Sequence, residues 1–129
     1  MLRLNKVHHI AIICSDYTRS KHFYTVILGL KVLNEVYRAE RESYKLDLAL
    51  GVDYIIELFS FADPPQRASY PEATGLRHLA FEVDDLDKCV PLLEKHQIDF
   101  EPLRTDEHTG KRFTFIQDPD KLPIELYEK

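Results

Sequence analysis

The stretch VHHIAIICSD, residues 7–16, decides the fold, because its pattern recurs later in the chain. An apolar run of this kind is typical of a strand that is buried on both faces. The Ser-Asp pair that follows it can cap a helix. The stretch LRHLAFEVDD, residues 76–85, repeats the same order in the second half. A chain that repeats itself in this way predicts two related modules.

Outward from these stretches, each half continues with one helix and three further strands. The first helix ends near Gly29, which adopts the left-handed C-terminal conformation at little cost, and the second covers 86–96. Pro91 lies within the second helix and predicts a late start or a kink there. The further strands are predicted at 31–38, 44–50 and 54–61 in the first half, and at 100–105, 112–118 and 122–128 in the second.

The predicted organisation is a single α+β domain covering residues 1–129. Its first βαβββ module spans 1–61 and its second spans 76–129. The proline-rich stretch 62–75 lacks periodicity and is interpreted as the linker. We expect the two pseudo-symmetric modules to form a curved mixed sheet around a cleft, with the helices outside.

Composition and charge exclude several classes of protein. The 129 residues are 44% hydrophobic, and 17 Lys and Arg face 22 Asp and Glu, which gives a net charge of −5. An acidic chain argues against nucleic-acid binding, and no apolar run is long enough to span a membrane. Cys14 and Cys89 lie within apolar stretches and predict buried thiols in a reducing, cytoplasmic compartment.

Four polar residues occupy matching places within the apolar strands of the two halves. His9 and His78 belong to the first strand of each half, and Glu57 and Glu125 to the last. If the modules pair about a pseudo-two-fold axis, all four side chains converge on one point in the cleft. His8 alternates to the opposite face of its strand and is interpreted as structural.

Two carboxylates buried close together are costly unless a positive charge neutralises them. One divalent cation meets that need for both, and two imidazoles complete a mixed nitrogen and oxygen donor set with positions left for water or substrate. The sequence therefore predicts a metal-containing cleft. It leaves the ion open among Ni²⁺, Co²⁺, Zn²⁺, Mn²⁺ and Fe²⁺.

The chain resembles the vicinal oxygen chelate superfamily (glyoxalase, bleomycin resistance, dioxygenase), and within it bacterial glyoxalase I-like metalloproteins. The resemblance covers nearly the whole chain. It rests on His9-x₆-Asp16, Phe23-Tyr24-x₃-Leu28-Gly29, Glu57-Leu58, Gly75-x₂-His78-Leu79-Ala80-Phe81-x-Val83-Asp84 and Asp118-Pro119-Asp120-x₄-Glu125-Leu126. It implies that His9, Glu57, His78 and Glu125 are metal ligands, as in nickel- or cobalt-activated enzymes, and that the protein is a homodimer.

The resemblance also implies a lyase or isomerase that moves a proton between adjacent carbons of a small oxygen-chelating substrate, through a metal-bound enediolate. We expect Glu125 rather than Glu57 to be the catalytic base. Two alternatives from the same superfamily are a metal-dependent CoA-ester epimerase and an antibiotic resistance or binding protein. A dioxygenase is disfavoured because it would use two histidines and one glutamate.

The pattern departs from glutathione-dependent enzymes at two positions. Those enzymes carry Arg four residues after the first ligand and Asn four residues after the second, where this chain has Ile13 and Phe61. Apolar side chains cannot bind a glutathione carboxylate, so glutathione is not the expected carrier. Alternative anion contacts for another carrier are Arg38, Arg41, Lys45, Arg104 and Arg112.

Overall fold

The computed structural model describes all 129 residues, and the chain divides into two compact units, Met1–Pro65 and Gln66–Lys129. Each unit contains its own four-stranded sheet, so the fold has two mixed sheets rather than one. The α+β class and the βαβββ order of each unit are as predicted, while the predicted bounds of modules and linker stay predictions. Neither helix has the length and apolar character needed to cross a membrane.

The first unit runs through four strands and one helical segment. The elements are β1 (Ile10–Cys14), α1 (Tyr17–His22) with a π-helical turn (Phe23–Ile27), β2 (Lys31–Arg38), a 3₁₀ turn (Ala39–Arg41), β3 (Ser43–Leu50) and β4 (Asp53–Ser60). The sheet order is β1-β4-β3-β2. Strand β1 is parallel to β4, and the other pairs are antiparallel.

The second unit repeats this arrangement with a shorter outer strand. Its elements are β5 (Leu79–Val83), α2 (Leu86–Lys95), β6 (Arg104–Thr105), β7 (Arg112–Gln117) and β8 (Pro123–Glu128). The sheet order is β5-β8-β7-β6, again with the first strand parallel to the last. The six-residue strand predicted at 100–105 is reduced to two residues.

Both helices start where a capping aspartate satisfies the free amides of the first turn. The Arg19 N–H donates to Asp16 over 3.1 Å, and the Asp87 N–H donates to Asp85 over 2.9 Å. The late start predicted from Pro91 is wrong, because α2 begins directly after the Asp85 cap and continues to Lys95. Pro91 removes one helical hydrogen bond without moving the start.

In each unit the helix covers one face of the sheet. In the first unit this face carries the fully buried Leu46, Leu48, Ile56 and Leu58, and α1 is held against it by Tyr17, which stacks on Tyr44 at 4.2 Å between ring centroids. In the second unit Ile124 and Leu126 are buried on the corresponding face. Side chains alternate along a strand, so Glu57 and Glu125 lie on the opposite faces, away from the helices.

The start of α2 depends on Glu128. Its carboxylate pairs with Arg112 at 2.7 Å and accepts the Leu86 N–H at 3.0 Å, and these contacts lower the pKa of Glu128. A carboxyl group with a lowered folded-state pKa stabilises the fold above its ordinary pKa, and this stabilisation is lost as the pH falls through the folded-state value.

We therefore expect Glu128→Gln to lower the melting temperature by a few degrees at neutral pH, with the difference from wild type shrinking as the pH falls below the ordinary pKa of a glutamate. Thermal denaturation followed by circular dichroism across this range measures the effect. Glu94→Gln, at an exposed position of the same helix, is the control and should change little. A pH-independent difference for Glu128→Gln would contradict this prediction.

Candidate functional site

The first unit brings His9 and Glu57 together. Parallel pairing of β1 with β4 sets Ala11 opposite Glu57, and His9 precedes Ala11 by two residues at the entrance to β1. The His9 Nε2 lies 3.5 Å from the Glu57 Oε2, with the two side chains 35% and 15% exposed. This pair is reached from the face of the sheet that α1 leaves open.

The second unit brings His78 and Glu125 together in the same way. Ala80 is opposite Glu125 in the parallel pairing of β5 with β8, and His78 precedes β5. The His78 Nε2 lies 3.0 Å from the Glu125 Oε2, with exposures of 33% and 16%. The repeat detected in the sequence is therefore a repeat of a histidine–glutamate pair with matching burial.

The donor atoms of each pair fit two neighbouring ligands of one divalent ion. Ligands about 2.1 Å from an ion and at right angles to each other lie about 3 Å apart, close to the separation found in each pair. Neutral imidazole and carboxylate are also the donor types that nickel, cobalt, manganese, iron and zinc accept. The structure has no group of three or more such side chains close enough to hold an ion, and the convergence of all four residues on one ion stays a prediction.

Glu57 is held by a polar network that sequence reasoning missed. The Tyr54 hydroxyl donates to Glu57 at 2.6 Å and also contacts Asp47 at 3.0 Å. Lys45 donates to Asp47 at 2.8 Å and lies 3.6 Å from Glu57. Burial and these hydrogen bonds raise the pKa of Tyr54, and the bond to Asp47 raises that of Lys45. The alternation of Lys45 and Asp47 with buried leucines was the available signal for this network.

Glu125 has an apolar neighbour where Glu57 has a polar one. The cross-strand partner of Glu57 is Asp47, whereas that of Glu125 is Phe115. The Phe115 ring also meets the His78 ring edge-on, with centroids 5.1 Å apart. No tyrosine or lysine contacts Glu125, so the two glutamates are equivalent in position and different in surroundings.

Strand alternation predicted that His8 lies on the opposite face from His9, and this prediction is wrong. Its Nδ1 is 2.8 Å from the Nδ1 of His9, and its ring also packs edge-on against Tyr54. The reason is that β1 begins only at Ile10, so strand alternation does not apply to residues 8 and 9. One of the two Nδ1 atoms must donate to the other, and His8 thereby orients the His9 ring.

The chain belongs to the Glyoxalase/Bleomycin resistance protein/Dioxygenase superfamily, whose sequence profile matches residues 6–126. The two histidine–glutamate pairs fall within this match. The family resemblance expected from the sequence is therefore confirmed.

Two highly similar relatives are the uncharacterized proteins YwkD of Bacillus subtilis and YaeR of Escherichia coli. YwkD is 63% identical over 126 residues, covering 98% of each chain, and YaeR is 60% identical over the full length of both. Among solved structures, a glyoxalase family protein from Enterococcus faecalis is 48% identical, with a TM-score of 0.87 over 95% of this chain and 97% of its own.

Two less similar structures belong to proteins whose names state a function. The trypanothione-dependent glyoxalase I of Leishmania major is 28% identical, with a TM-score of 0.72 over 97% of this chain and 87% of its own. A variant of the fosfomycin resistance protein FosX from Listeria monocytogenes, solved with Mn(II), shares the fold at 17% identity, with a TM-score of 0.77 over 98% of this chain and 94% of its own.

We expect Tyr54→Phe to lower the free energy of unfolding by about 1–2 kcal/mol, because Glu57 and Asp47 lose a shared, partly buried donor. Urea denaturation measures this change. Tyr37→Phe is the matched control: Tyr37 is 53% exposed and its hydroxyl makes no hydrogen bond in the structure. Equal stability of the two variants would show that the Tyr54 hydroxyl does not hold the carboxylates.

Proposed function

We propose that this chain is a divalent-metal-dependent enzyme of the glyoxalase I type, with His9, Glu57, His78 and Glu125 as the ligands of one ion. The observation that carries the proposal is the histidine–glutamate pair, present once in each unit, with donor atoms 3.5 and 3.0 Å apart and with matching burial. The ion is one of nickel, cobalt, zinc, manganese or iron. The four ligands come from one chain or from two chains of a homodimer.

The donor chemistry supports this proposal. A divalent ion bound there supplies Lewis-acid stabilisation of negative charge on substrate oxygens. A small substrate with two neighbouring oxygens fits such a site, and the proposed reaction moves a proton between two adjacent carbons. The proton leaves the first carbon for a carboxylate of the protein and returns from it to the second, so that the net reaction is an isomerisation.

Glu125 is the proposed base, and its surroundings support that choice. A carboxylate that takes up and returns a proton needs freedom to move and few competing hydrogen-bond donors. Glu57 accepts a hydrogen bond from Tyr54 and lies near Lys45, which hold it in place. Glu125 is paired with His78 alone and faces Phe115, so it keeps that freedom. Glu57 is proposed to act as a fixed ligand.

Substitution of either glutamate tests the ligand assignment. We expect Glu57→Gln and Glu125→Gln each to weaken metal binding at least about tenfold, because an amide oxygen is a poorer ligand than a carboxylate. Metal analysis of the purified proteins and calorimetric titration with Ni²⁺ measure the change. If both variants keep full metal content and wild-type affinity, the ligand assignment is wrong.

The matched control for these variants is Glu82→Gln. Glu82 belongs to β5, two residues after Ala80, and therefore shares the face of Glu125, but it is exposed and pairs with no histidine. It should retain wild-type metal affinity. Equal losses in all three variants would indicate a general charge effect rather than ligation.

The carrier thiol is tested with methylglyoxal. We expect weak or absent turnover with glutathione, because Ile13 and Phe61 offer no contact to its carboxylates, and Ile13 is 54% exposed beside Phe59 on the Glu57 face. The assay follows thioester absorbance for protein loaded in turn with Ni²⁺, Co²⁺, Mn²⁺ or Zn²⁺, first with glutathione and then with other thiols. Rapid turnover with glutathione would refute this prediction.

A further inference from the structure

The five cationic residues named above as possible anion contacts differ in whether a carboxylate neutralises their charge. Three of them pair with carboxylates within hydrogen-bond distance: Arg112 with Glu128, Arg104 with Glu101, and Lys45 with Asp47. Arg41 lies exposed on the 3₁₀ turn that follows β2. Neither Arg41 nor Arg38 has a carboxylate partner, and of these two only Arg38 is partly buried.

Arg38 is nonetheless held in a defined position. Its guanidinium carbon lies 4.7 Å from the centroid of the Phe59 ring and 5.9 Å from that of Phe61. One terminal nitrogen donates to the Ser43 hydroxyl at 2.8 Å. The Nε is buried and has no hydrogen-bond partner. Buried donors are nearly always paired, so the Nε of Arg38 is an exception whose hydrogen bond the protein leaves unmade.

The position of Arg38 relates it to the histidine–glutamate pair of the same unit. Phe59 follows Glu57 by two residues on β4, so both side chains lie on the same face of the sheet, about 7 Å apart along the strand. The guanidinium that stacks on Phe59 therefore lies on the same face of the sheet as Glu57. An elongated small molecule bound at Glu57 would run along this face past Phe59 toward Arg38.

The second unit contains a natural comparison. Arg104 also stacks on two aromatic rings, which belong to the neighbouring strand β7, with its guanidinium carbon 5.0 Å from the Phe113 ring centroid and 6.0 Å from that of Phe115. Arg104 forms an ion pair with Glu101 at 2.7 Å, whereas no carboxylate pairs with Arg38. Stacking on aromatic rings thus accounts for the position of both arginines. It does not explain why Arg104 is paired with a carboxylate and Arg38 is not.

We propose that Arg38 binds an anionic group of the substrate, a carboxylate or a phosphoryl group, so that the substrate is a small acid with its oxygen-chelating end at the metal ligands. The planar guanidinium offers paired donors that match either anion. The inference deepens the proposed function and rests on it. It also gives the Phe59 and Phe61 rings a role as the apolar floor of this subsite.

Three chelators test the proposal on the Ni²⁺-loaded protein by calorimetry. Acetohydroxamate has no further charge, succinic monohydroxamate adds a carboxylate, and phosphonoacetohydroxamate adds a phosphonate. We expect the wild type to bind at least one of the charged chelators about tenfold more tightly than the neutral one. The preferred member of the charged pair identifies the anion. Equal affinity for all three would overturn the proposal.

Two matched variants separate recognition from structure. Arg38→Gln should lose the preference for the charged chelator and keep the affinity for acetohydroxamate within about twofold. Arg104→Gln removes an arginine with the same stacking and should keep the preference of the wild type. Retention of the preference in Arg38→Gln, or its loss in both variants, would show that Arg38 does not recognise the anion.

A second measurement needs neither the metal nor a stable variant. The buried Nε–H of Arg38 should give a slowly exchanging side-chain signal in ¹H–¹⁵N spectra of the metal-free wild type, and inorganic phosphate or acetate should shift it while chloride at equal ionic strength does not. Equal shifts at Arg38 and Arg104, or none, overturn the proposal. If no chelator binds the Ni²⁺-loaded protein, the proposed function fails. The NMR titration with phosphate or acetate then tests by itself whether Arg38 binds an anion.

Discussion

Parallel pairing between the first and last strands of each unit is the constraint on which the candidate site depends. A parallel pair requires a crossover connection, and the helix with its following strands supplies it. The register then places each glutamate opposite an alanine, and the histidine two residues before that alanine comes beside the carboxylate. A shift of one residue would turn the glutamates toward the helices, into the apolar core. The donor pairs are thus a product of register and not of flexible loops.

The two units share this frame and differ in what surrounds the carboxylates. Tyr54, Asp47 and Lys45 form a charged, hydrogen-bonded setting for Glu57. Phe115 gives Glu125 an aromatic neighbour instead. The shared frame thereby holds one carboxylate that also bonds a tyrosine and lies near a lysine, and one that is paired with its histidine alone. Such a difference in environment between two titratable groups is how many enzymes separate a structural role from a proton-transfer role.

Most of the strands and the equivalent positions of the histidines and glutamates could be predicted from the sequence, because the same pattern occurs in both halves. Strand β2 matches its predicted range, and Asp16 belongs to the pair of residues predicted to cap the first helix. The equivalent strand positions of His9, Glu57, His78 and Glu125 predicted that the four side chains converge, and the structure pairs them within each unit. The features that the sequence did not predict depend on contacts between residues that are distant in the chain or on the exact start of a strand. The Tyr54 network requires β3 and β4 to be in register, and the orientation of His8 depends on where β1 begins.

The residues that differentiate the two glutamates lie outside the hydrophobic core. Asp47 and Phe115 are partly exposed, whereas the neighbours Leu46 and Ile116 are almost completely buried. An exchange at these cross-strand positions alters the polarity around a donor and leaves the packing beneath the helix intact. A duplicated frame of this kind can acquire new chemistry through single substitutions that cost little stability. Evolutionary diversification is then limited by which reactions two donor pairs can support, and not by the need to keep the protein folded.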